Sequence, residues 1–426
     1  MTQLAERPAA ARSRSHWPWT VAAVAFVILI GAAGFRSVPS VLIDPLHLEF
    51  GWSRATIGAA VSLNLVLFGV ISPFAAALME RLGMRRVVIG ALLLIAAGSG
   101  LPVFMTASWQ LLLTWGVLVG VGTGSMSMVF VATVVSRWFV ARQGLVSGVL
   151  TAAGATGQLV FLPLVARLAT AYGWRTASLV VAACALAVVP VVVLLLREHP
   201  RDVGVTAYGG GAEEVAPAVT GGLAARAWTA LRDAARTRAF WLLAGGFAIC
   251  GISTNGLVGT HFVSAAHDHG MPYTTAAGLL ALVGIFDVAG TVLSGWLTDR
   301  IRPQLLLGVY YALRGASLLV LPLLFAPHVQ PSMWVFILFY GLDWIATVPP
   351  TVALCRAHFG MSGPIVFGWV FASHQIGAAL AAVGAGAIRD VFGAYHLAWW
   401  IAGALCMLAA AMSLRIRSAP AVNIPG

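Results

Sequence analysis

The chain has 426 residues, of which 60% are hydrophobic and only 9% are charged. A soluble domain would carry about a quarter charged residues, so most of this surface is not built for water. The net charge of +11 would suggest nucleic acid as a partner of a soluble protein. Here nearly all the basic residues lie in particular loops, which argues against that class.

Apolar stretches long enough to cross a bilayer, roughly 20 residues each, recur along the chain with short polar breaks between them. We predict twelve spanning helices, at residues 18–42, 55–79, 86–106, 109–135, 143–170, 175–196, 239–266, 275–298, 304–325, 332–355, 364–388 and 395–414. The first is too long for a cleaved signal peptide, so we expect it to be retained. Pro349-Pro350 in helix ten removes backbone donors and predicts a kink.

The longest polar interval divides these helices into two groups of six. The predicted organisation is a tail at 1–17, a six-helix bundle at 18–197, a linker at 198–237, a second bundle at 238–415 and a tail at 416–426. This arrangement places nineteen loop and terminal arginines on one side of the membrane and four on the other. Because arginine-rich loops face the cytoplasm, we predict a multi-pass plasma (inner) membrane protein with both termini cytoplasmic.

The two groups of helices carry related sequences. Met79-Glu80-Arg81 after helix two matches Thr298-Asp299-Arg300 after helix eight, and residues 157–173 resemble residues 377–393 in glycine spacing. Two similar halves that meet at a central cavity are the usual plan of a secondary transporter.

The loop after helix two resembles the G-x-x-x-D-R-x-G-R-R loop of the major facilitator superfamily, with Ala76 at the first glycine and Glu80 at the acidic position. Residues 137–148, and the pattern that begins at His261, resemble the monocarboxylate-porter and oxalate–formate antiporter branch. The resemblance implies an all-α fold of two pseudo-symmetric six-helix bundles. It also implies a cytoplasmic gate whose bridges break when the protein opens inward, formed by Glu80, Arg81, Arg85, Arg86, Asp299 and Arg300.

Four charged residues lie within predicted spans, where a charge is costly and marks a functional candidate. Arg36 in helix one is the candidate for binding an anionic substrate, since arginine holds a carboxylate through two parallel hydrogen bonds; a salt bridge between the halves is the alternative. Arg314 in helix nine is predicted to form an ion pair with an aspartate, with anion binding as the alternative. Asp287 in helix eight is the first candidate for proton coupling and Asp343 in helix ten the second. Animal members of the branch place an arginine four residues after this helix-eight aspartate, where this chain has Thr291.

Six uncharged polar residues within the spans are candidates for substrate contact, namely Asn64, Gln158, Asn255, His261, His374 and Gln375. For the three amides Asn64, Gln158 and Asn255 the alternative is a hydrogen bond between helices. His374 and Gln375 lie in the middle of helix eleven, which is expected to line the cavity. His374 titrates in the useful range, and its alternative is a hydrogen-bonded buried histidine without a role in coupling.

The chain has no HExxH zinc motif and no GxxxxGK[ST] phosphate loop, and its four cysteines lie in apolar stretches without CxxC spacing. We therefore predict no enzyme activity, no cofactor and no metal site.

The predicted function is proton-linked transport of a small, monocarboxylate-like organic anion by alternating access. The alternatives are efflux of amphipathic or drug-like compounds and anion exchange without protons. The expected partners are the organic anion, protons and the lipid bilayer, without nucleic acid, and the protein is expected to work as a monomer.

Overall fold

The computed structural model describes residues 16–52, 54–210 and 223–416. These residues form helices and no β-sheet, which confirms the predicted all-α class. The long helices are α1 Trp17–Phe50, α2 Arg54–Leu82, α3 Met84–Gly100, α4 Ser108–Trp138, α5 Gln143–Tyr172, α6 Trp174–Leu195, α7 Arg238–Asp268, α8 Tyr273–Thr298, α9 Pro303–Val320, α10 in two pieces (Pro331–Asp343 and Val348–Phe359), α11 Gly363–Phe392 and α12 His396–Leu414. A shorter linker helix, Leu223–Ala235, precedes α7.

Membrane-spanning character follows from length and composition. Among the described residues, nine helical stretches are long and apolar enough to cross a bilayer, and one of them, Pro331–Arg389, contains α10 and most of α11. A shorter apolar helix, Trp17–Ala32, begins α1. When α10 and α11 are counted separately and α1 and the 30-residue α5 are added, there are twelve helices. They correspond one to one with the twelve predicted spans.

The helices bury two hydrophobic clusters. One is built from residues between 21 and 196, and the other from residues between 227 and 416 together with a few side chains of α2 and α4. Between the two groups of helices the closest packing joins α5 to α8 and α2 to α11. Both pairs are tight near the end of the bundle that carries residues 80–86 and 299–302, which we call the arginine-rich end.

Glycines permit this close packing at the arginine-rich end. A Cβ atom on Gly148 of α5 would lie 2.6 Å from the carbonyl oxygen of Thr291 in α8. A Cβ atom on Gly368 of α11 would lie 2.7 Å from the Cα of Pro73 in α2. Small residues at such crossings let helix backbones touch, and this is how apolar helices gain packing energy in a bilayer.

Helices α4 and α10 are both interrupted, at corresponding places in the two halves. The break in α4 lies at Met126 and Ser127, and an 11-residue piece follows it. The break in α10 lies at residues 344–347, and a 12-residue piece follows it. The prolines 349 and 350 open this second piece rather than kinking a continuous helix, because the first turn of a helix needs no donor from proline.

Candidate functional site

A cavity of about 590 Å³ lies between the two halves. Its walls come from α1, α2, α4, α5, α7, α8, α10 and α11, and both helix breaks open onto it. Val263 and Leu280 extend the lining into the parts of α7 and α8 that lie away from the arginine-rich end. Interrupted helices at matching positions of two repeats are a physical pointer to a binding site, because they bring backbone polar groups to a cavity.

Asp287 on α8 is the acidic group of this cavity wall among the described residues. Its side chain is 1% exposed, and its Oδ1 accepts hydrogen bonds from the Thr291 hydroxyl (2.8 Å) and from the Ile345 backbone N–H (3.0 Å). The Ile345 donor is free because α10 is broken there. Oδ2 has no hydrogen-bond partner among the described residues. The carboxyl group is therefore anchored by one oxygen, while the other is left to carry a proton or to meet a ligand.

Arg314 on α9 lies one layer behind the cavity and is 1% exposed. Its Nε is 2.6 Å from Oδ2 of Asp343. Its Nη2 donates to the carbonyl oxygens of Asp343 (2.5 Å) and Trp344 (3.2 Å), which the helix break leaves without helical partners. Its Nη1 is 2.9 Å from Sγ of Cys250, which lines the cavity. One guanidinium thus neutralises a buried carboxylate and donates hydrogen bonds to the carbonyl oxygens at the broken end of α10.

Three of the polar residues singled out from the sequence lie on the cavity wall, namely Asn255, His374 and Gln375. The His374 ring is 92% buried (8% exposed) and packs between the rings of Phe247 and Phe371, with centroids 5.0 and 6.0 Å away. Its Nδ1 has no hydrogen-bond partner among the described residues. The His374 ring is therefore held by packing and by an interaction with the Cys250 side chain, while its Nδ1 lacks a partner among the described residues.

Two other candidates lie in helix contacts instead of on the described cavity wall. The Asn64 amide donates to the Trp115 carbonyl oxygen at 2.8 Å and joins α2 to α4. The His261 ring contacts the Ala382 carbonyl oxygen at 2.8 Å and the Tyr395 hydroxyl at 3.3 Å, which ties α7 to α11 and to the residue that precedes α12. The Asn64 contact is of the helix–helix kind that the sequence left open as the alternative, whereas the contacts of His261 between helices were not predicted.

Arg36 and Gln158 belong to α1 and α5, but their side chains lie outside the described part of the chain. The helical position of Arg36 is nevertheless informative. It follows Leu29 by seven residues and Ala32 by four, and both of these line the cavity. Residues at that spacing share one helix face.

The predicted gate residues lie at the arginine-rich end. The Asp299 carboxylate accepts hydrogen bonds from the backbone N–H groups of Gly144 (2.7 Å) and Leu145 (2.9 Å), so it caps α5 of the opposite half. Glu80 is 2.5 Å from Nε of Arg226 on the linker helix. Arg300 packs over the Trp296 ring at 3.9 Å.

The first half has a further carboxylate at this end. Glu198 accepts from the backbone N–H groups of Met84 (2.7 Å) and Arg85 (2.9 Å), and it is 3.3 Å from Arg137. The side chains of Arg81 and Arg86 are exposed. Negative charge at the starts of α3 and α5 is stabilised by the free N–H groups there.

Sequence reasoning did not single out Glu198, Arg226 or several cavity residues, notably Phe68, Cys250, Thr347 and Trp344. The uncharged residues carry no signal that separates a cavity-facing position from a lipid-facing one. The two prolines of helix ten predicted only a kink, and the break at residues 344–347 was not predicted.

The comparisons with known proteins agree with this architecture. The profile of the Major Facilitator Superfamily matches residues 24–365. The uncharacterised MFS-type transporter YcxA of Bacillus subtilis (strain 168) is 26% identical over 392 residues, which cover 91% of this chain and 92% of that protein. Monocarboxylate transporter 13 of Rattus norvegicus is 27% identical over 402 residues, which cover 92% of this chain and 87% of that protein.

Two solved structures share the fold at 16% sequence identity. The proton:xylose symporter XylE superposes with a TM-score of 0.69 over 94% of this chain and 96% of that one. The E. coli fucose:proton symporter FucP superposes with a TM-score of 0.66 over 92% of this chain and 98% of that one. At this identity the likeness speaks to the fold alone.

Proposed function

The chain belongs to the major facilitator superfamily and is a multi-pass membrane transporter, and we propose that it moves a small organic acid together with a proton by alternating access. The observation that supports this proposal is a cavity between two packed halves whose described lining holds a carboxyl group with one unpartnered oxygen. We take the proposed substrate class, a monocarboxylate-like acid, from the name of the relative Monocarboxylate transporter 13.

The charge of the cavity gives a physical reason why the organic acid and a proton would be transported together. The described cavity lining contains Asp287 and no arginine or lysine. An organic anion that enters beside an ionised Asp287 adds a like charge in a setting of low dielectric constant, where two carboxylates repel strongly. A proton on Oδ2 removes that repulsion and gives the anion a donor. The acid and the proton therefore enter together.

The proposed state of the protein follows from its packing. The arginine-rich end is closed by the α5–α8 and α2–α11 contacts, and by the positive-inside bias we assign it to the cytoplasm. The cavity extends along α7 and α8 towards the end of the bundle that lies away from the arginine-rich end. We assign this arrangement to a state that is closed towards the cytoplasm and accepts substrate from outside.

Arg36 is proposed as the group that attracts the anion, because its helical position continues the cavity-lining face of α1. Purified protein in liposomes with a trapped pH dye tests this. Lactate, pyruvate, oxalate or an aromatic acid added outside is expected to acidify the interior faster than in protein-free liposomes, and Arg36→Ala is expected to lose most of the excess. Labelled-acid exchange without proton movement would indicate an exchanger, and no response to any acid would contradict acid transport.

Export of amphipathic cations is the second candidate, because the Asp287 carboxyl shares its cavity with the aromatic rings of Phe68, Phe371 and Trp344. A cation stacks favourably on such rings. The two candidates differ in a direct binding test. An acid transporter is protected against thermal unfolding by organic acids, and a cation exporter by a lipophilic cation such as tetraphenylphosphonium.

Asp299→Asn is expected to loosen the arginine-rich end. The amide cannot supply the negative charge that Asp299 places against the start of α5, and only one oxygen remains to accept the Gly144 and Leu145 donors. Distances between spin labels on α5 and α8 at this end should shift towards longer values. The matched control is Asp268→Asn, which weakens a partly exposed ion pair with Arg389. Identical distance distributions for wild type and Asp299→Asn would contradict the proposal that Asp299 helps to hold the arginine-rich end closed.

A further inference from the structure

The two walls of the cavity differ in character. The half that contains α1 to α5 contributes Leu29, Ala32, Phe68, Met126, Ser127, Met128 and Gly154, of which only Ser127 is polar. Its hydroxyl lies 2.9 Å from the Ser72 hydroxyl and is already engaged. On this side the described cavity wall is therefore almost entirely apolar.

The opposite wall carries the polar groups of the cavity. Asp287, Asn255, His374 and Gln375 all belong to α7, α8 and α11. Two of them keep an unpartnered buried atom among the described residues, Oδ2 of Asp287 and Nδ1 of His374. A buried polar atom without a partner costs free energy, and because these two atoms belong to residues of the cavity wall, the polar part of a ligand is expected there.

Aromatic rings join the two walls. Phe68 on α2 meets Phe371 on α11 edge to face, with centroids 5.4 Å apart. The Phe371 ring stacks on His374 with an interplanar angle of 11°. An apolar surface thus runs from the His374 ring across Phe371 to Phe68 on the opposite half, and such a surface suits an aromatic ring or an alkyl chain.

Size favours the same kind of ligand. Sites of about 300–1,000 Å³ accommodate drug-sized molecules, and this cavity of about 590 Å³ falls within that range. A two- or three-carbon acid would occupy a small part of it and would leave the Phe68, Met126 and Met128 wall in contact with water.

From this division we infer that the preferred substrate is an amphipathic acid with an aromatic or similarly large apolar body, such as an arylacetic acid. Its carboxyl group lies at the wall of Asp287 and His374. Its body lies on Phe371, Phe68 and the methionines of the opposite half. Because one molecule bridges both halves, it contacts each of the two bodies whose relative movement carries it across. This inference rests on the proposed function and names its substrate class.

Ligand-dependent thermal stabilisation of the purified, detergent-solubilised protein is the appropriate measurement, because passive diffusion of aromatic acids through lipid does not affect it. Phenylacetate and indole-3-acetate are titrated against lactate and propionate. The aromatic acids are expected to reach half-maximal stabilisation at about tenfold lower concentration or less, since even one methylene in an apolar pocket changes discrimination by about that factor.

Phe371→Leu should remove most of the aromatic preference, measured as the ratio of the half-maximal concentrations for lactate and phenylacetate. Phe367→Leu is the matched control, because Phe367 packs against Phe371 one helical turn away and is fully buried outside the cavity lining. If Phe371→Leu does not fold, Phe68→Leu tests the same surface from the other half.

Two results would overturn the inference in different ways. Short acids that stabilise the protein as well as aromatic acids do would refute the substrate class and leave acid transport standing. No stabilisation by any acid, together with no proton uptake in liposomes, would refute both the substrate class and the proposed function.

Discussion

Asp287→Asn is expected to abolish proton-driven accumulation of the acid while exchange of labelled acid for unlabelled acid remains measurable. Asparagine has nearly the same size, and its carbonyl oxygen can still accept from Thr291 and from the Ile345 N–H. It cannot take up a proton, and it leaves no negative charge beside the substrate. The binding site survives, but the link between the proton and the anion is lost.

The magnitude follows from the gradient that drives uptake. One pH unit corresponds to about 1.4 kcal/mol, or a tenfold concentration ratio for one proton per acid. Liposomes with an imposed gradient of one unit should therefore accumulate labelled acid about tenfold with the wild type and about onefold with Asp287→Asn. Asp268→Asn, at an ion pair outside the cavity lining, controls for a general effect of losing a carboxylate. If Asp287→Asn still accumulates the acid, a group other than Asp287 carries the proton, and His374→Gln would then be the next variant to measure.

The positions of the spanning helices were largely predictable from the sequence. Helix eight was expected at 275–298 and is found at Tyr273–Thr298, and helix twelve was expected at 395–414 and is found at His396–Leu414. The thickness of the bilayer sets the length of an apolar stretch, so composition alone carries this information. The linker helix and the breaks within α4 and α10 were not foreseen, since they depend on contacts between helices.

The site was predictable only in part, for a related reason. A buried arginine requires an acceptor, so the sequence pointed to an aspartate for Arg314 without choosing between Asp287 and Asp343. That choice depends on which carboxylate the α10 break turns towards α9. Asn64 and Asn255 look alike in sequence, yet one joins α2 to α4 and the other lines the cavity.

Arg314→Met should destabilise the protein by about 3–5 kcal/mol, the range measured when one partner of a buried ion pair is removed. The substitution leaves the buried Asp343 carboxylate without its counter-charge. It also leaves the carbonyl oxygens of Asp343 and Trp344 without the donors that close the helix break. We expect a large fall in the melting temperature of the detergent-solubilised protein and a loss of transport.

A double substitution separates two contributions to this loss of stability, the unpaired charge of Asp343 and the missing hydrogen bonds at the helix break. Arg314→Met combined with Asp343→Leu removes both charges, so the electrostatic part of the loss should be recovered, while the backbone carbonyl oxygens of residues 343 and 344 remain without their donor. The double variant is therefore expected to be more stable than Arg314→Met but less stable than the wild type. Arg175→Met provides the contrast, because Arg175 and Glu49 form an exposed pair with 45% and 35% side-chain exposure, and such pairs contribute about 0–1 kcal/mol. If Arg314→Met lowered stability no more than Arg175→Met, the Arg314–Asp343 pair would not hold the break, and Arg314 would be available to bind the substrate anion.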